Sequence, residues 1–361
     1  MKHILFAIGS LHGGGAERVV SVWASSLAQK GYKVSILVYA RVENEYPVDS
    51  RVTIYHIAKS AEECDEMSMI ARLKRFREAL KTQKPDVIIS FLPVVQVYIA
   101  LASIGLHIPR IETIRINPWS ASILKTKFGK LWIGCFDTCK AVILQSEDQR
   151  AFFKKAVQRK AVVIPNPVNT KYIENKKTEY TEAKKIVAAG RLTEQKNYKM
   201  MIDAVKLLSQ RHGDVSLEIY GIGELQGELE AYIKKQMLED KVFLMGRSNA
   251  LYDVYKNADV YVMSSDYEGM PNALAEAMAI GLPCISTDCK TGPRDLIDDG
   301  KNGFLVPCGD HKALAEKLER ILLMSGEERM ALGKNARSKI ITFCGEDNSL
   351  NRLIGLIEDI T

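Results

Sequence analysis

The sequence has few of the features that mark a secreted, disulfide-stabilised or zinc-binding protein. Its 361 residues include seven cysteines, an odd number scattered along the chain. A disulfide framework needs paired cysteines, so this usage favours the reducing cytosol. Cys135 and Cys139 are separated by three residues, and Cys284 and Cys289 by four, but neither pair has a matching partner pair at zinc spacing. We therefore expect buried or incidental thiols and no zinc site.

Charge is missing from one long segment, and no leader peptide is expected at the start. Val87–Pro109 contains no Asp, Glu, Lys or Arg and is long enough to span a bilayer. Pro93 and several polar or helix-breaking residues interrupt it, so we interpret it as a buried strand, Val87–Leu92, that leads into a helix near Val94. A membrane span is the alternative. The first three residues run directly into the apolar strand Ile4–Ile8, so no signal peptide is expected.

Strand and helix patterns alternate twice along the chain, with a joint near Asn166. The length exceeds that of a single core and suggests two domains, and 47% hydrophobic and 26% charged residues are ordinary for a globular protein. Such alternation predicts an α/β protein with two parallel, doubly wound sheets. The predicted helices include Ser122–Thr138 and Glu147–Lys155 in the first half and Tyr198–Arg211 in the second.

The most informative segment is Ser264–Gly292, in which seven residues separate Glu268 from Glu276. A glycine and a proline break the chain after Glu268, and the stretch Asn272–Ala279 favours a helix. Glu268 is therefore expected at the carboxyl end of a strand, where open α/β sheets bind ligands, and Glu276 on the first helical turns. The free N–H groups at the helix start suit an anion such as a diphosphate. Together these groups predict a ligand with both hydroxyls and phosphates, such as a nucleotide sugar.

A solvated pair of glutamates is the alternative interpretation of this pattern. Against it, Glu276 lies in an otherwise apolar stretch, where an unpaired charge would be costly to bury and ribose hydroxyls would supply donors. Two cations add support for a phosphate ligand. Arg191 directly follows the strand that ends at Gly190, and Lys196 is five residues further on, so both can reach one diphosphate. Two solvated loop cations are the alternative.

Four other motifs accompany this segment in a fixed order along the chain. They are the glycine loop Gly13–Arg18, the connection Ile164–Val168, the segment Gly190–Asn197, and the loop and strand Asp298–Pro307. With the two glutamates they resemble, over nearly the whole chain, the pattern of glycosyltransferase family 4, retaining enzymes of the GT-B fold. The resemblance implies two Rossmann-like domains that face each other across a cleft. Residues 1–168, completed by a C-terminal helix at about 345–361, would bind the acceptor, and residues 169–344 the nucleotide sugar.

The resemblance also implies roles for individual residues. Glu268 would hold the hydroxyls of the donor sugar, and Arg191 and Lys196 would stabilise the leaving diphosphate, which makes these three the catalytic residues. The other donor-binding positions would be Gly14, Gly15, Gly221, Gly269, Met270, Asn272 and Glu276, the last of these at the ribose. The acceptor positions would be Glu17, Arg115 and Asn117.

Two departures from known motifs qualify these roles. The glycine loop lacks Gly-x-Gly-x-x-Gly spacing, so a plain tight turn is its alternative interpretation. Many family members have a histidine where this chain has Arg115 and Asn117, which leaves the role of Arg115 open.

No Asp-x-Asp motif occurs at a predicted strand end of the kind that metal-dependent glycosyltransferases use, and Asp298 and Asp299 fall in a Gly/Asn turn. We therefore expect a metal-independent enzyme without a cofactor, in which the nucleotide sugar is a substrate. Cys289–Ile297 resembles the version of this segment in bacterial hexosyl- and N-acetylhexosaminyltransferases that use UDP-sugars. The implied donor is UDP-GalNAc, UDP-GlcNAc or a UDP-hexose.

The positive charge is concentrated in the first half of the chain. Up to Val168 there are 24 Lys or Arg against 14 Asp or Glu, a net charge of +10, and the remainder has 26 against 30, a net charge of −4. Basic clusters occur at Arg72–Arg77, Lys125–Lys130 and Lys154–Lys160. Because the family's first domain takes the acceptor, this favours a glycan acceptor on a polyprenyl diphosphate at an anionic membrane surface. Solvated helix faces are the alternative, and no nucleic-acid-binding module accompanies the charge.

The sequence thus predicts a cytoplasmic glycosyltransferase, peripheral on the inner face of the cell membrane, that acts in bacterial surface polysaccharide or oligosaccharide assembly. A GT-B sugar-nucleotide epimerase or a phosphorylase is the alternative within enzymes. An inactive glycosyltransferase-like partner subunit is the alternative from another class. The presence of Arg191, Lys196, Glu268 and Glu276 argues against the inactive partner.

Overall fold

The computed structural model describes residues 1–174, 176–180 and 184–361, which form two compact units. The first unit consists of Met1–Pro167 together with Asp347–Thr361, and the second of Val168–Glu346. Each unit contains one sheet, and the strand pairings described within both sheets are parallel. The prediction of an α/β protein with two parallel sheets is confirmed.

The first unit alternates strands and helices from its amino end. Its strands are β1 (His3–Ile8), β2 (Lys33–Ala40), β3 (Thr53–Ala58), β4 (Val87–Ser90), β5 (Arg110–Thr113), β6 (Ala141–Leu144) and β7 (Ala161–Val163). Its helices up to the joint are α1 (Gly15–Gln29), α2 (Ala61–Glu66), α3 (Met69–Gln83), α4 (Pro93–Ala102), α5 (Gly129–Thr138) and α6 (Lys155–Gln158). The sheet order is β3-β2-β1-β4-β5-β6-β7, so the direction of sheet growth reverses between β1 and β4.

The core of the first unit follows from the composition of its elements. All six residues of β1, with the sequence HILFAI, are buried, as expected for a central parallel strand that is covered on both faces. On α1, the buried residues Val19, Val20, Trp23 and Leu27 recur at helical spacing and form the stripe that packs on the sheet. Burial of these apolar side chains is the main favourable term for this layer.

In the residues that the structure describes, the second unit repeats the same alternation with six strands. They are β8 (Lys185–Ala189), β9 (Ser216–Tyr220), β10 (Val242–Gly246), β11 (Val260–Met263), β12 (Cys284–Thr287) and β13 (Phe304–Val306). Its helices are α7 (Thr170–Glu174), α8 (Tyr198–Ser209), α9 (Gln226–Lys235), α10 (Leu251–Lys256), α11 (Asn272–Ile280), α12 (Pro293–Leu296), α13 (His311–Leu323) and α14 (Gly326–Cys344). The sheet order is β10-β9-β8-β11-β12-β13, with its reversal between β8 and β11.

The last helix, α15 (Glu346–Ile360), packs on the first unit, as the family resemblance implied. Leu350, Leu353 and Ile357 are buried in the same apolar cluster as β1 and α1. Near the start of α15, the Ser349 hydroxyl accepts a hydrogen bond of 3.2 Å from the Trp23 indole. It donates one of 3.1 Å to the Pro165 carbonyl, just before the joint. The two unit boundaries lie within two residues of the predicted domain limits.

The predicted continuous helix Ser122–Thr138 is wrong. A short 3-10 turn covers Ser122–Lys125, and α5 begins only at Gly129. Thr126 adopts an extended conformation between them, and its hydroxyl accepts a hydrogen bond of 3.2 Å from the Phe128 N–H. A threonine side chain that competes in this way for a main-chain donor interrupts helical bonding.

The predicted helix Glu147–Lys155 is wrong as well. A 3-10 turn covers Asp148–Phe152, and the short helix α6 begins after it. Phe153, the first of the two residues between them, is extended and buried, with its ring centroid 4.9 Å from that of Phe136. Packing of this ring in the core outweighs the local preference for a longer helix.

The uncharged segment Val87–Pro109 folds as a buried strand and a helix, which confirms the preferred interpretation. All four residues of β4 are buried. The ten residues of α4 give a length of about 15 Å, roughly half the thickness of a bilayer core. No helix in the described part of the chain is long and apolar enough to cross a membrane.

Candidate functional site

The reversal of sheet order in the second unit marks the place where open α/β sheets bind ligands. β8 and β11 are neighbours there, and their pairing is parallel. The loop from Gly190 to Asn197 follows β8, and the loop from Ser264 to Pro271 follows β11, so the two loops lie side by side at the carboxyl edge. Two of the three predicted catalytic residues, Lys196 and Glu268, meet at this position.

Lys196 and Glu268 form an ion pair at the centre of this edge. The Lys196 ammonium lies 2.5 Å from Glu268 Oε1, and Glu268 is 6% exposed. The Ser265 hydroxyl donates to the same carboxylate oxygen at 2.7 Å, and the Gln195 amide donates to Oε2 at 3.3 Å. A buried carboxylate needs such donors. The sequence placed both charged residues in one site but did not predict that they contact each other.

Hydrogen bonds fasten the two loops to each other. Asp266 N–H donates to the Gln195 carbonyl at 2.9 Å, and the Asn197 amide donates to Asp266 Oδ1 at 3.0 Å. The Ser264 hydroxyl donates to the Lys196 carbonyl at 2.8 Å. Asn197 itself adopts a left-handed conformation with φ of 44°, which asparagine tolerates, and its side chain caps the start of α8. These hydrogen bonds hold the main chain of Gln195 and Lys196 and the side chain of Asn197 against the loop that carries Glu268.

A glycine after β9 determines how closely the next loop approaches. Gly221 has φ of +151°, and a Cβ placed there would lie 1.8 Å from the Gly190 carbonyl oxygen. Only glycine permits this approach. Arg191, which follows Gly190, is exposed, and its guanidinium makes no hydrogen bond or ion pair with any residue that the structure describes. Gly221 thus supports the backbone at the base of Arg191, and its predicted donor contact stays a prediction.

Glu276 lies on the second turn of α11 and is 4% exposed. Two buried tyrosines are close to its carboxylate. Burial, the neighbouring Tyr261 and the Glu276 carboxylate, in that order of effect, hold the pKa of Tyr255 well above its ordinary value. Asn272 is the first residue of α11. The start of a helix carries a partial positive charge, which makes this position suitable for an anion.

The end of β12 and the loop that follows it contact the loop that carries Glu268, and the sequence did not predict this support. The Thr291 hydroxyl donates to the Glu268 carbonyl, and the Thr287 hydroxyl donates to the Ser265 carbonyl at 2.6 Å. Gly292 has φ of +94°, and a Cβ there would lie 3.1 Å from the Gly269 carbonyl oxygen. Met270, in the same turn, is buried. The glycine in the motif CKTGPRDLI was the available signal for this packing.

In the first unit, the glycine loop lies at the carboxyl end of β1, beside the reversal of sheet order. Gly14 is the N-cap of α1, and a Cβ there would lie 1.9 Å from a carboxylate oxygen of Glu17. The Glu17 side chain therefore folds back over the main chain of this loop, and Gly15 next to it is exposed. The predicted roles of these three residues toward donor and acceptor stay predictions.

Arg115 is buried, with 9% of its surface exposed, although it was predicted at the acceptor. Its guanidinium carbon lies 4.6 Å from the ring centroid of Trp23 and 5.4 Å from that of Phe91, and its Nη1 donates to Asn166 Oδ1 at 2.7 Å. Nε and Nη2 are buried and have no hydrogen-bond partner among the described residues. Burial lowers the pKa of Arg115 to about 9.

Asn117, the other predicted acceptor residue in this segment, is buried too. Its side-chain oxygen accepts a hydrogen bond of 3.0 Å from the Trp119 N–H and caps the 3-10 turn Pro118–Ser120. A local hydrogen bond therefore occupies the side-chain oxygen of Asn117, a residue that the resemblance assigned to the acceptor.

Among the residues that the structure describes, no group of three or more His, Cys, Asp or Glu side chains is placed to hold a metal ion.

Two family models match the two halves of the chain. The Glycosyltransferase Family 4 model matches residues 13–172, and the Glycosyl transferases group 1 model matches residues 169–339. In fold, the chain is similar to HepE from Anabaena, solved in complex with UDP, with a TM-score of 0.82 at 17% identity over 99% of this chain and 100% of that chain. This likeness confirms the GT-B fold.

Two relatives that match over most of the chain are bacterial glycosyltransferases. The chain is 30% identical over 348 residues to the GalNAc-alpha-(1->4)-GalNAc-alpha-(1->3)-diNAcBac-PP-undecaprenol alpha-1,4-N-acetyl-D-galactosaminyltransferase of Campylobacter jejuni, covering 95% of both chains. It is 27% identical over 330 residues to the amylovoran biosynthesis glycosyltransferase AmsD of Erwinia amylovora, covering 89% of this chain and 90% of that one. The chain therefore belongs to the glycosyltransferase family 4 proteins of bacterial polysaccharide and lipid-linked oligosaccharide assembly.

Proposed function

We propose that this glycosyltransferase moves a sugar from a UDP-sugar, of the UDP-GalNAc, UDP-GlcNAc or UDP-hexose type, to a glycan carried on a polyprenyl diphosphate, with retention of the anomeric configuration. The relative from C. jejuni, named for a GalNAc transfer to a diphosphate-undecaprenol glycan, supports this choice of donor and acceptor. The acceptor's lipid would keep the enzyme peripheral on the cytoplasmic face of the cell membrane.

The observation that carries the proposal is the Lys196–Glu268 pair at the point where the sheet order reverses. A nucleotide sugar offers each partner a substitute for the other. Its diphosphate would attract the Lys196 ammonium, and its sugar hydroxyls would donate to the Glu268 carboxylate that Ser265 and Gln195 already orient. Preorganised charges of this kind stabilise a transition state without reorganisation during the reaction.

The chemical step is transfer on one face of the sugar. The bond from the anomeric carbon to the diphosphate oxygen breaks as the acceptor hydroxyl attacks from the same side, and the departing phosphate oxygen takes the hydroxyl proton. Negative charge grows on the diphosphate, where Lys196 and the exposed Arg191 would stabilise it together with the start of α11. This route needs no nucleophile from the enzyme, and Glu268 would position the sugar. We propose that it needs no metal ion.

The remaining predicted residues keep their roles as part of the proposal. Glu276 would bind the ribose, and Gly269, Met270 and Asn272 would present main-chain groups to the donor. In the first unit, Gly14 and Gly15 would contact the donor and Glu17 the acceptor. The burial of Arg115 and Asn117 favours a supporting role for both over contact with the acceptor.

A thermal-shift panel of nucleotide sugars, followed by transfer assays, tests this function. We expect one or a few UDP-sugars to raise the melting temperature, and sugars carried on other bases to have little effect. A bound donor should then be consumed with an extract of polyprenyl-diphosphate-linked glycans, and NMR of the product should show the donor's anomeric configuration. An inverted product would contradict the mechanism. Conversion of the donor to its epimer without an acceptor would indicate an epimerase, and the absence of any binding would indicate an inactive partner.

A further inference from the structure

Two of the three basic segments of the first unit, Arg72–Arg77 and Lys125–Lys130, look equivalent in sequence, but the structure distinguishes them. On α3, the three arginines of Arg72–Arg77 donate hydrogen bonds within the unit. Arg72 donates to a tyrosine hydroxyl at 2.8 Å, Arg75 to a main-chain carbonyl at 2.7 Å and a glutamate at 2.8 Å, and Arg77 to two main-chain carbonyls at 2.8 Å. Most of the charge on α3 is therefore engaged in holding the fold together.

The second segment, around the start of α5, is different. Lys125, Lys127 and Lys130 are exposed, and none of them forms a hydrogen bond or ion pair through its side chain with a residue that the structure describes. Between Glu112 and Asp137 the chain has no aspartate or glutamate. Three cations thus share a surface that has no acidic residue of its own segment to neutralise them.

Apolar side chains flank these cations on the outer side of α5. Leu131 is 46% exposed and Ile133 is 36% exposed, while Trp132 and Phe136 on the inner side are buried. At 100° per residue, Leu131 and Ile133 lie on either side of Lys130 on the helix surface. Asp137, further along the exposed side of α5, pairs with Lys154 at 2.8 Å and so adds no unpaired negative charge.

The position of this surface in the fold suits a lipid-linked acceptor. The chain leaves β5 at the carboxyl edge of the sheet, and residues 114–128 precede α5 there. The glycine loop Gly13–Gly15 leaves β1 at the same edge, because all strands of the sheet are parallel. A bilayer that contacts the start of α5 would meet the edge at which the first unit receives its ligands.

We propose that the α5 basic face, made of Lys125, Lys127, Lys130, Leu131 and Ile133, docks on an anionic lipid bilayer. The lysines would approach the negatively charged headgroups, and the two apolar side chains would enter the interfacial region. The choice of a membrane as the partner rests on the proposed function, which places the acceptor on a lipid. The choice of the α5 basic face over α3 rests only on side-chain contacts: the three arginines of α3 are hydrogen-bonded within the unit, and the three lysines are not.

Vesicle co-sedimentation with matched variants tests the proposal. The full-length protein is mixed with phosphatidylglycerol–phosphatidylethanolamine vesicles or with phosphatidylcholine vesicles, at low and at high salt. The test variant is Lys125→Gln/Lys127→Gln/Lys130→Gln. The matched control is Lys74→Gln/Lys81→Gln/Lys84→Gln, which removes the same charge from exposed lysines on or next to α3. A second pair of changes, Leu131→Ser/Ile133→Ser, probes the apolar contribution.

The expected results follow from two contributions to binding, the charge of the lysines and the insertion of the apolar side chains. The wild type should bind the anionic vesicles only, and neutralising three lysines near the surface, at about fivefold each, should weaken binding roughly a hundredfold. The control should change binding by less than about threefold. Leu131→Ser/Ile133→Ser should weaken binding roughly tenfold and leave its salt dependence intact.

Three outcomes would overturn the proposal: no binding of the wild type to anionic vesicles, equal binding to neutral vesicles, or an equal or larger loss in the α3 control. Calorimetry of UDP binding on the same preparations separates failure of the docking proposal from failure of the proposed function. All variants should bind UDP like the wild type. Loss of vesicle binding with UDP binding retained assigns the defect to docking, and a wild type that binds vesicles but no nucleotide contradicts the proposed function only.

Discussion

The ammonium of Lys196 and the carboxylate of Glu268, 72 residues apart in sequence, lie 2.5 Å from each other at the carboxyl edge of the second sheet. Both groups are mostly shielded from water, with side-chain exposures of 20% and 8%. Each therefore serves as the counter-ion of the other before a donor arrives. Loss of one partner should affect the empty protein as well as the reaction.

Lys196→Ala should lower the free energy of unfolding by about 1–2 kcal/mol, because Glu268 then stays buried without its cation. The same change should lower kcat roughly ten- to a thousandfold, since the leaving diphosphate loses a fixed charge. Denaturation and steady-state kinetics measure the two effects. Lys199→Ala is the control, because its pair with Glu228 is about half exposed and should be worth less than about 0.5 kcal/mol. Equal stability losses in both variants would contradict the special position of Lys196.

Glu276→Ala should weaken UDP binding by on the order of 1–3 kcal/mol, because hydrogen bonds to a charged acceptor are lost. The isosteric Glu276→Gln should keep the packing of this 4% exposed residue and still weaken binding, since the amide is a poorer acceptor for ribose hydroxyls. Calorimetry with UDP measures both. Wild-type affinity in the two variants would remove Glu276 from the donor site.

Transferase activity should survive exhaustive chelation. In the proposed mechanism Arg191 and Lys196 neutralise the leaving diphosphate, so EDTA should leave kcat within about twofold of its untreated value. The measurement is donor turnover before and after chelator treatment, with addition of manganese or magnesium as the control. Complete loss that either metal restores would contradict a metal-free mechanism.

Arg115→Met should cost less stability than Arg115→Lys. Two nitrogens of the buried guanidinium have no hydrogen-bond partner among the described residues, so an apolar chain of similar length removes an unfavourable charge. Lysine would keep the charge in a compact form that lacks the planar contact with Trp23. We expect a cost below about 1 kcal/mol for Met and about 2–4 kcal/mol for Lys in chemical denaturation. A stable Arg115→Met variant with a greatly raised KM for the acceptor would instead support the acceptor role predicted from sequence.

Stability should depend on Glu112 between about pH 4.5 and 7. Burial, opposed by the paired Arg110, raises the pKa of Glu112 from 4.5 to about 7. The folded state therefore keeps a proton that the unfolded state loses in this window, so this contribution to stability is complete below pH 4.5 and is lost as the pH rises to 7. The difference in unfolding free energy between the wild type and Glu112→Gln should fall by about 1–3 kcal/mol across the window. A difference that stays constant with pH would show that Glu112 titrates normally.

Much of the second unit could be predicted because its turns carry strong local signals. The sequence predicts strands at Val260–Met263 and Cys284–Thr287, and β11 and β12 have these limits. The second is well marked because glycine and proline stop the helix before it. Helix α14 was missed although it has nineteen residues. Its buried face includes the small residues Gly333, Ala336 and Cys344, so large apolar side chains do not show the helical period.

The candidate site was predictable as a set of residues but not as a set of contacts. The motif gave Lys196 and Glu268 because local sequence marks both loops, whereas their ion pair depends on the parallel pairing of β8 with β11. Arg115 was assigned to the acceptor because it occupies the region where many members of the family that the sequence resembles have a histidine. Its burial between Trp23 and Phe91 depends on packing of distant segments, which local patterns do not report.

The attachment of α15 to the first unit has a consequence for synthesis. Leu350, Leu353 and Ile357 complete the apolar cluster that β1 and α1 begin, so that cluster lacks part of its contacts until α15 has left the ribosome. The second unit is made of one continuous stretch, Val168–Glu346, and is complete earlier. Domains usually fold in the order in which they are made. Here we expect the second unit to reach its native state first and the amino-terminal half of the chain to wait.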